Sequence, residues 1–182
     1  MLRGFTDMQN GVQNIDVSKI YNGELAEIPF EFEIIPVGTE DLDLAFTAPA
    51  KVKGRVYEKA HGKNRAESYI ELEFEIRSGF TTHCARCFED VSSDYVCKKV
   101  YGVTKKLNTD SDEYIEAPGG VLDVYELAES VFYLELPTRV LCKEDCRGLC
   151  PVCGANQNIA KCTCKKNIVA NTLKDLEKLL DK

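Results

Sequence analysis

Long apolar runs are missing from this chain. Stretches such as Val131–Leu136 and Leu179–Leu180 fall far short of the roughly 18 residues that a membrane-spanning helix needs, so no membrane partner is expected. Met1–Asn10 holds no apolar core followed by a small-residue cleavage site. Nothing there marks the chain for export, and a cytoplasmic location is the expectation. Basic blocks are missing as well: 23 Lys plus Arg stand against 30 Asp plus Glu, a formal charge of −7, with no run of five bases anywhere. The whole-body positive charge that nonspecific nucleic-acid binders rely on is absent, so any RNA contact has to be local.

Catalytic vocabulary is equally thin. The chain has no GxSxG elbow, no Gly-rich phosphate loop and no HExxH pair, the patterns that carry common hydrolytic and phosphoryl-transfer chemistry. Only His61 and His83 are available as bases near neutral pH. His61 falls in a polar turn, and His83 adjoins Cys84, where it is at most an alternative metal ligand. Asp41, Asp43, Glu71 and Glu73 read as solvated faces. Neither an enzyme nor a small-molecule substrate is expected.

What is present suits an ordinary globular protein. With 182 residues and 44% hydrophobic side chains, one main domain and a small appendage are affordable, burying about 70% of the unfolded surface. Extended segments are expected at Ile28–Ile35, Leu42–Thr47, Lys51–Tyr57, Ser68–Arg77 and Val91–Val103. In Tyr69–Ile76, Ile70, Leu72, Phe74 and Ile76 alternate with Glu71, Glu73 and Glu75, the period of two of a half-buried strand. The loop His61–Arg65 makes Lys51–Tyr57 and Ser68–Arg77 a hairpin. Lys105–Gly120 reads as a flexible acidic loop. Asp123 then offers an N-cap with Glu126 three residues on, and Val124, Leu127, Val131 and Leu134 form an apolar stripe before Pro137 stops the helix. A second amphipathic helix starts near Asn167, with Val169, Leu173, Leu176 and Leu180 on one face. The expected fold is α+β: a mainly antiparallel sheet or partly closed barrel, two helices in the C-terminal half and a small zinc-binding segment. Residues 1–136 would form the β domain with its helix, and 137–182 the cysteine-rich segment with the last helix.

Nine cysteines, an odd number in a chain without an export signal, argue against a disulfide framework and for metal ligation. Cys150-Pro-Val-Cys153-Gly154 has the form of a zinc knuckle, and Cys162-Thr-Cys164 supplies a second close pair. Together they provide the four soft ligands that tetrahedral Zn²⁺ favours at Zn–S of about 2.3 Å. Two pairs remain, Cys84 with Cys87 and Cys142 with Cys146. They either meet in a second four-thiolate site, or Cys142 and Cys146 replace members of the first. Four protein thiolates leave no open position, so zinc here is structural. The competing thiol-redox reading of Cys84–Cys87 wants a helix N-terminus in a βαβ setting, whereas the surroundings read as strand. Cys97 reads as a small buried apolar residue.

The cysteine segment is also where the charge turns positive. Between Pro137 and Ile168, Arg139, Lys143, Arg147, Lys161, Lys165 and Lys166 stand against Glu144 and Asp145, a net of +4. These six are the candidate RNA contacts.

Cys84-Ala-Arg-Cys87-Phe88, the helix from Asp123 to Leu136-Pro137, and the run from Leu141-Cys142 through Cys146-Arg-Gly-Leu-Cys150-Pro-Val-Cys153-Gly-Ala-Asn156 together resemble the YceD family of bacteria and plastids. Phe88 stands where that family commonly has Leu, and Gln157-Asn158 where it has Leu-Asn. The resemblance implies a noncatalytic role in large-subunit (23S) ribosomal RNA accumulation, processing or ribosome assembly, with ribosomal RNA or ribosome-assembly proteins as partners. Some members lack the C-terminal cysteines, which implies a structural metal. A zinc-stapled protein-interaction module without direct RNA contact is the alternative.

Overall fold

Cross-strand charge pairs set the register of the main sheet. The computed structural model describes residues 13–37, 43–59, 69–104 and 113–164. Its elements are β1 (Asn14–Asp16), α1 (Ser18–Tyr21), β2 (Glu27–Ile34), β3 (Ala45–Phe46), β4 (Ala50–Lys59), β5 (Tyr69–His83), β6 (Asp90–Thr104), β7 (Tyr114–Glu116), β8 (Val121–Asp123) and α2 (Val124–Leu134). Strands β2, β4, β5, β6 and β7 neighbour one another in that order, with β3 on the far part of β5, while β1 and β8 form a separate antiparallel pair. Lys53 of β4 sits opposite Glu31 of β2 and Glu75 of β5, and Arg55 opposite Glu73. On this wet face Lys53 lies 2.9 Å from Glu31, and Arg55 lies 3.1 Å from Glu27 and 2.6 Å from Glu73. Exposed pairs of this kind contribute at most about 1 kcal/mol each. A one-residue slip, however, would turn every such charge into the core, so the alternation holds the register firmly.

Two features depart from the expected sheet. Among the described residues it is open rather than closed into a barrel: β2 and β7 end the strand order, and β2 carries Pro29, which has no amide hydrogen for a further partner. The stretch expected to be a flexible acidic loop contains β7, which pairs in parallel with β6 from Gly102↔Tyr114 to Thr104↔Glu116, because Tyr114 and Ile115 are good strand formers among the acids. At the sheet centre, a Cβ on Gly54 would come within 2.4 Å of the Glu73 carbonyl and 2.5 Å of the Phe30 ring, so only glycine lets these strands and rings close up.

Glu71 is not solvated. It is 6% exposed, accepting from Tyr57 Oη at 2.5 Å and from Lys59 Nζ at 2.8 Å. Burial pushes its carboxyl up, but the bonds from Lys59 and Tyr57 outweigh that and hold it below the ordinary 4.5, while the same contact drives the Tyr57 phenol up to about 12.

Helix α2 starts where expected: the Asp123 carboxylate accepts from the Tyr125 and Glu126 amides, both at 3.0 Å, satisfying two orphan donors. Its buried face differs from the expected stripe. Val124, Ala128, Val131 and Phe132 are buried, whereas Leu134 is 83% exposed. Small Ala128 lets the helix approach, and the bulk of Phe132 decides its rotation. That ring is fully buried, 5.4 Å from Tyr95 edge-on and 5.2 Å from Phe46. Of the two expected helices only α2 falls within the described residues; the helix from Asn167 and the loop His61–Arg65 lie outside them. The four-residue α1 was not anticipated.

The described residues fall into two units. One takes those up to Thr82 together with Ser92–Thr138, the other His83–Val91 together with those from Arg139 onward.

Removing the Phe132 ring in Phe132→Ala should cost about 3–5 kcal/mol, against less than about 0.5 kcal/mol for exposed Leu134→Ala, measured by denaturant unfolding. Comparable losses would refute the buried face described. Because the folded carboxyl of Glu71 is depressed, its contribution is present above the ordinary carboxylate range and lost as pH falls through the folded value. Glu71→Gln is therefore expected to flatten the decline in stability below about pH 4.5.

Candidate metal centres

The turn between β5 and β6 is closed by Cys84 N donating to Glu89 O at 2.8 Å and Phe88 N donating to Cys84 O at 2.9 Å. Ala85 N binds Val140 O at 2.9 Å, which draws in the chain leading to Cys142. On the other side Leu149 N donates to Arg86 O at 3.1 Å, and Arg86 Nη1 donates to Cys146 O at 2.9 Å. Gly148 makes this approach possible. Its φ is +70°, and a Cβ there would lie 2.9 Å from the Arg86 carbonyl, so a side chain would be strained twice over. The result brings Cys84 Sγ to 3.7 Å from Cys146 Sγ and Cys87 Sγ to 3.6 Å from Cys142 Sγ, with all four sulfurs within 4.8 Å of one another.

The other foursome, Cys150, Cys153, Cys162 and Cys164, also lies within 4.8 Å. Gly154 N donates to Cys150 O at 2.9 Å and Cys150 N to Ala155 O at 2.8 Å, and Gly154 sits at φ +71° in the turn its place after the knuckle suggests. The structure thus groups Cys142 and Cys146 with Cys84 and Cys87. Cys97, 8% exposed, belongs to neither group. His83 pairs with Asp90 at 3.2 Å and is in neither foursome.

Both groups could hold a metal ion, and the first has the spacing of a tetrahedral site. Zn–S distances of about 2.3 Å give sulfur–sulfur edges of about 3.8 Å, close to the 3.6 and 3.7 Å observed. A disulfide would need about 2.05 Å. The thiols within each foursome differ in acidity. Burial pushes Cys84 up, yet backbone amides at Cys142, Arg86 and Cys87 more than offset this and lower it to about 6. Cys146 is lowered too, by the Asn158 amide and the Gly148 N–H against burial. Cys142, desolvated and beside those sulfurs, is pushed up to about 12. In the second group the amides of Cys153 and Val152 bring Cys150 down to about 6, whereas Cys153 holds Cys164 up at about 12. Without a cation, each foursome can ionise only part of its thiols, because the anions repel.

Cys84 is 0% exposed, and no helix begins at the turn that carries it. Cys84 therefore lacks the solvent exposure and the helix N-terminus that reactive thiols use.

Arg139, Lys143, Arg147 and Lys161 are exposed, and Lys143 lies 4.0 Å from Asp145. Lys165 and Lys166 lie outside the described residues. Arg86, Gly148 and Asn158, which build the first foursome, were missed by sequence reasoning. Only the positive φ that a glycine between cysteines invites gave a signal, at Gly148.

The family model described as large ribosomal RNA subunit accumulation protein YceD matches residues 72–180. The chain belongs to the YceD family. The matched residues include all eight clustered cysteines. No curated protein and no solved structure matches the chain. Among the described residues of this YceD-family chain, no helix is long and apolar enough to cross a membrane.

Protein purified under reducing conditions without chelator is expected to carry two metal ions per chain by elemental analysis. Cys153→Ala should lose one ion, disorder its segment and leave the sheet folded, because binding free energy at such a site is also local folding free energy. Metal-free wild type would defeat this assignment.

Proposed function

We propose that this YceD-family protein is a noncatalytic factor supporting accumulation, processing or assembly of large-subunit (23S) ribosomal RNA in the cytoplasm. In this reading Zn²⁺ staples Cys150, Cys153, Cys162 and Cys164, and a second Zn²⁺ staples Cys84, Cys87, Cys142 and Cys146. The carrying observation is that the family match covers both foursomes. All-thiolate ligation supports structural zinc, since it leaves no coordination position for water or substrate. Direct RNA contact, in this proposal, is made by Arg139, Lys143, Arg147, Lys161, Lys165 and Lys166, because phosphate affinity comes largely from Lys and Arg displacing counterions.

Two observations favour the protein-interaction reading. Two zinc ions on eight thiolates carry about −4 in total, and with the +4 of Pro137–Ile168 and the −1 of His83–Val91, which supplies Cys84 and Cys87, the loaded stretches come to about −1. The same unit exposes Phe88 at 69%, Val152 at 63% and Ile159 at 78%, apolar side chains of the kind that protein partners bury.

Reversing Arg147, Lys165 and Lys166 to Glu separates the two, once zinc content and fold are confirmed. The RNA reading expects weaker binding to large-subunit ribosomal RNA and a shallower salt dependence, by about one unit of slope for each phosphate left unneutralised. Unchanged affinity and slope, with salt-insensitive copurification of an assembly protein, would sink it and favour the alternative.

A further inference from the structure

Asn158 lies between Cys153 and Cys162, on the segment that joins two members of the Cys150 foursome. Its side chain nevertheless serves the other foursome. Nδ2 donates to Cys146 Sγ at 3.2 Å, and Oδ1 accepts from Arg147 N at 2.9 Å. This arrangement admits one amide orientation only, since the reverse would set oxygen against sulfur and NH₂ against N–H. The segment is registered by Asn158 N donating to Asn156 Oδ1 at 2.9 Å, Gln157 N to Gly148 O at 2.9 Å and Gln157 Nε2 to Leu149 O at 3.1 Å. Its two ends are the cysteines that the second metal would tie together.

We propose that Asn158 is a positioning residue that couples the two metal centres: metal at the Cys150 foursome orders the segment carrying Asn158, and the Asn158 amide then stabilises the Cys146 thiolate as a ligand of the Cys84 foursome. The inference rests on the two-metal reading above. A hydrogen bond to a ligating sulfur orients it and disperses its charge, and removing such an outer hydrogen bond typically lowers metal affinity by about 10–100-fold. Coupling between sites is reciprocal, so metal at the Cys84 foursome also favours closure at the other.

The test is zinc release from the full-length protein by chelator competition, backed by the sulfur-to-metal charge-transfer bands of the Co²⁺-substituted form. Cys84→Ala and Cys162→Ala each remove one centre and so assign the two release steps. Asn158→Ala is expected to raise the dissociation constant of the Cys84 centre about 10–100-fold and to shift its charge-transfer bands. Cys162→Ala should loosen the same centre by a similar factor, and the double variant should add nothing beyond either single change. Asn158→Asp keeps the acceptor for Arg147 N while removing the donor to sulfur. It separates removal of the sulfur hydrogen bond from collapse of the segment: it should loosen the Cys84 centre, while in a Cys84→Ala background, where no coupling remains to be lost, it should leave the affinity of the Cys150 centre unchanged. Unchanged affinity at the Cys84 centre in Asn158→Asp or in Cys162→Ala, or additive effects in the double variant, would overturn the coupling. Wild-type protein holding fewer than two ions is a separate result, read first from stoichiometry; it overturns the two-metal reading and the coupling with it.

Discussion

Four thiolates confined within 4.8 Å repel one another strongly in a medium poorer than water at screening charge. Only protons or a cation can hold them there, and everything in the cysteine unit depends on that constraint. The apolar cluster of the unit is Cys84, Cys87 and Cys146, with Val91, Leu141, Cys142 and Leu149 packed against it. Most of its core residues are therefore the ligands themselves. A core of this size is too small to fold a chain segment unaided, and small units with such cores need a staple. The hydrogen bonds from Ala85 to Val140, from Leu149 to Arg86 and from Arg86 to Cys146 aim the sulfurs but add only about 1 kcal/mol each.

The sheet unit follows the opposite logic. Val52, Val56, Leu72 and Ile76 are fully or almost fully buried, as is Phe132 of α2, so burial of apolar surface carries its stability and polar pairs only select the register. Glu71 is the exception. Its burial is tolerable because Tyr57 and Lys59 satisfy it, and an unpaired carboxylate at that depth would cost several kcal/mol. The two units thus rest on different things: apolar packing in one, and in the other clustered thiols whose charge protons or a cation must neutralise.

This division bears on function. An all-thiolate centre with structural metal contributes shape rather than chemistry, so the work of the YceD-family chain would lie in the surfaces its staples hold in place. Loading both centres changes the charge of the unit as well as its rigidity, and that makes metal content part of any account of how it meets an anionic partner.

Much of this was legible in the residues. The period-two alternation of Ile70 to Ile76 against Glu71 to Glu75 fixes the faces of β5, the Asp123 cap starts α2, and the CxxCG–CxC spacing groups Cys150, Cys153, Cys162 and Cys164, because each of these signals is local in sequence. Tertiary structure alone decided which face of α2 is buried, since that depends on where Phe46 and Tyr95 stand. It likewise decided that β7 joins the edge of an open sheet. Above all it decided that Cys84 and Cys87 meet Cys142 and Cys146, 55 and 62 residues away in sequence across their closest sulfur contacts. No local periodicity encodes such a meeting; it follows from the Arg86 carbonyl and guanidinium finding the backbone around Gly148, a contact that exists only once the chain has folded.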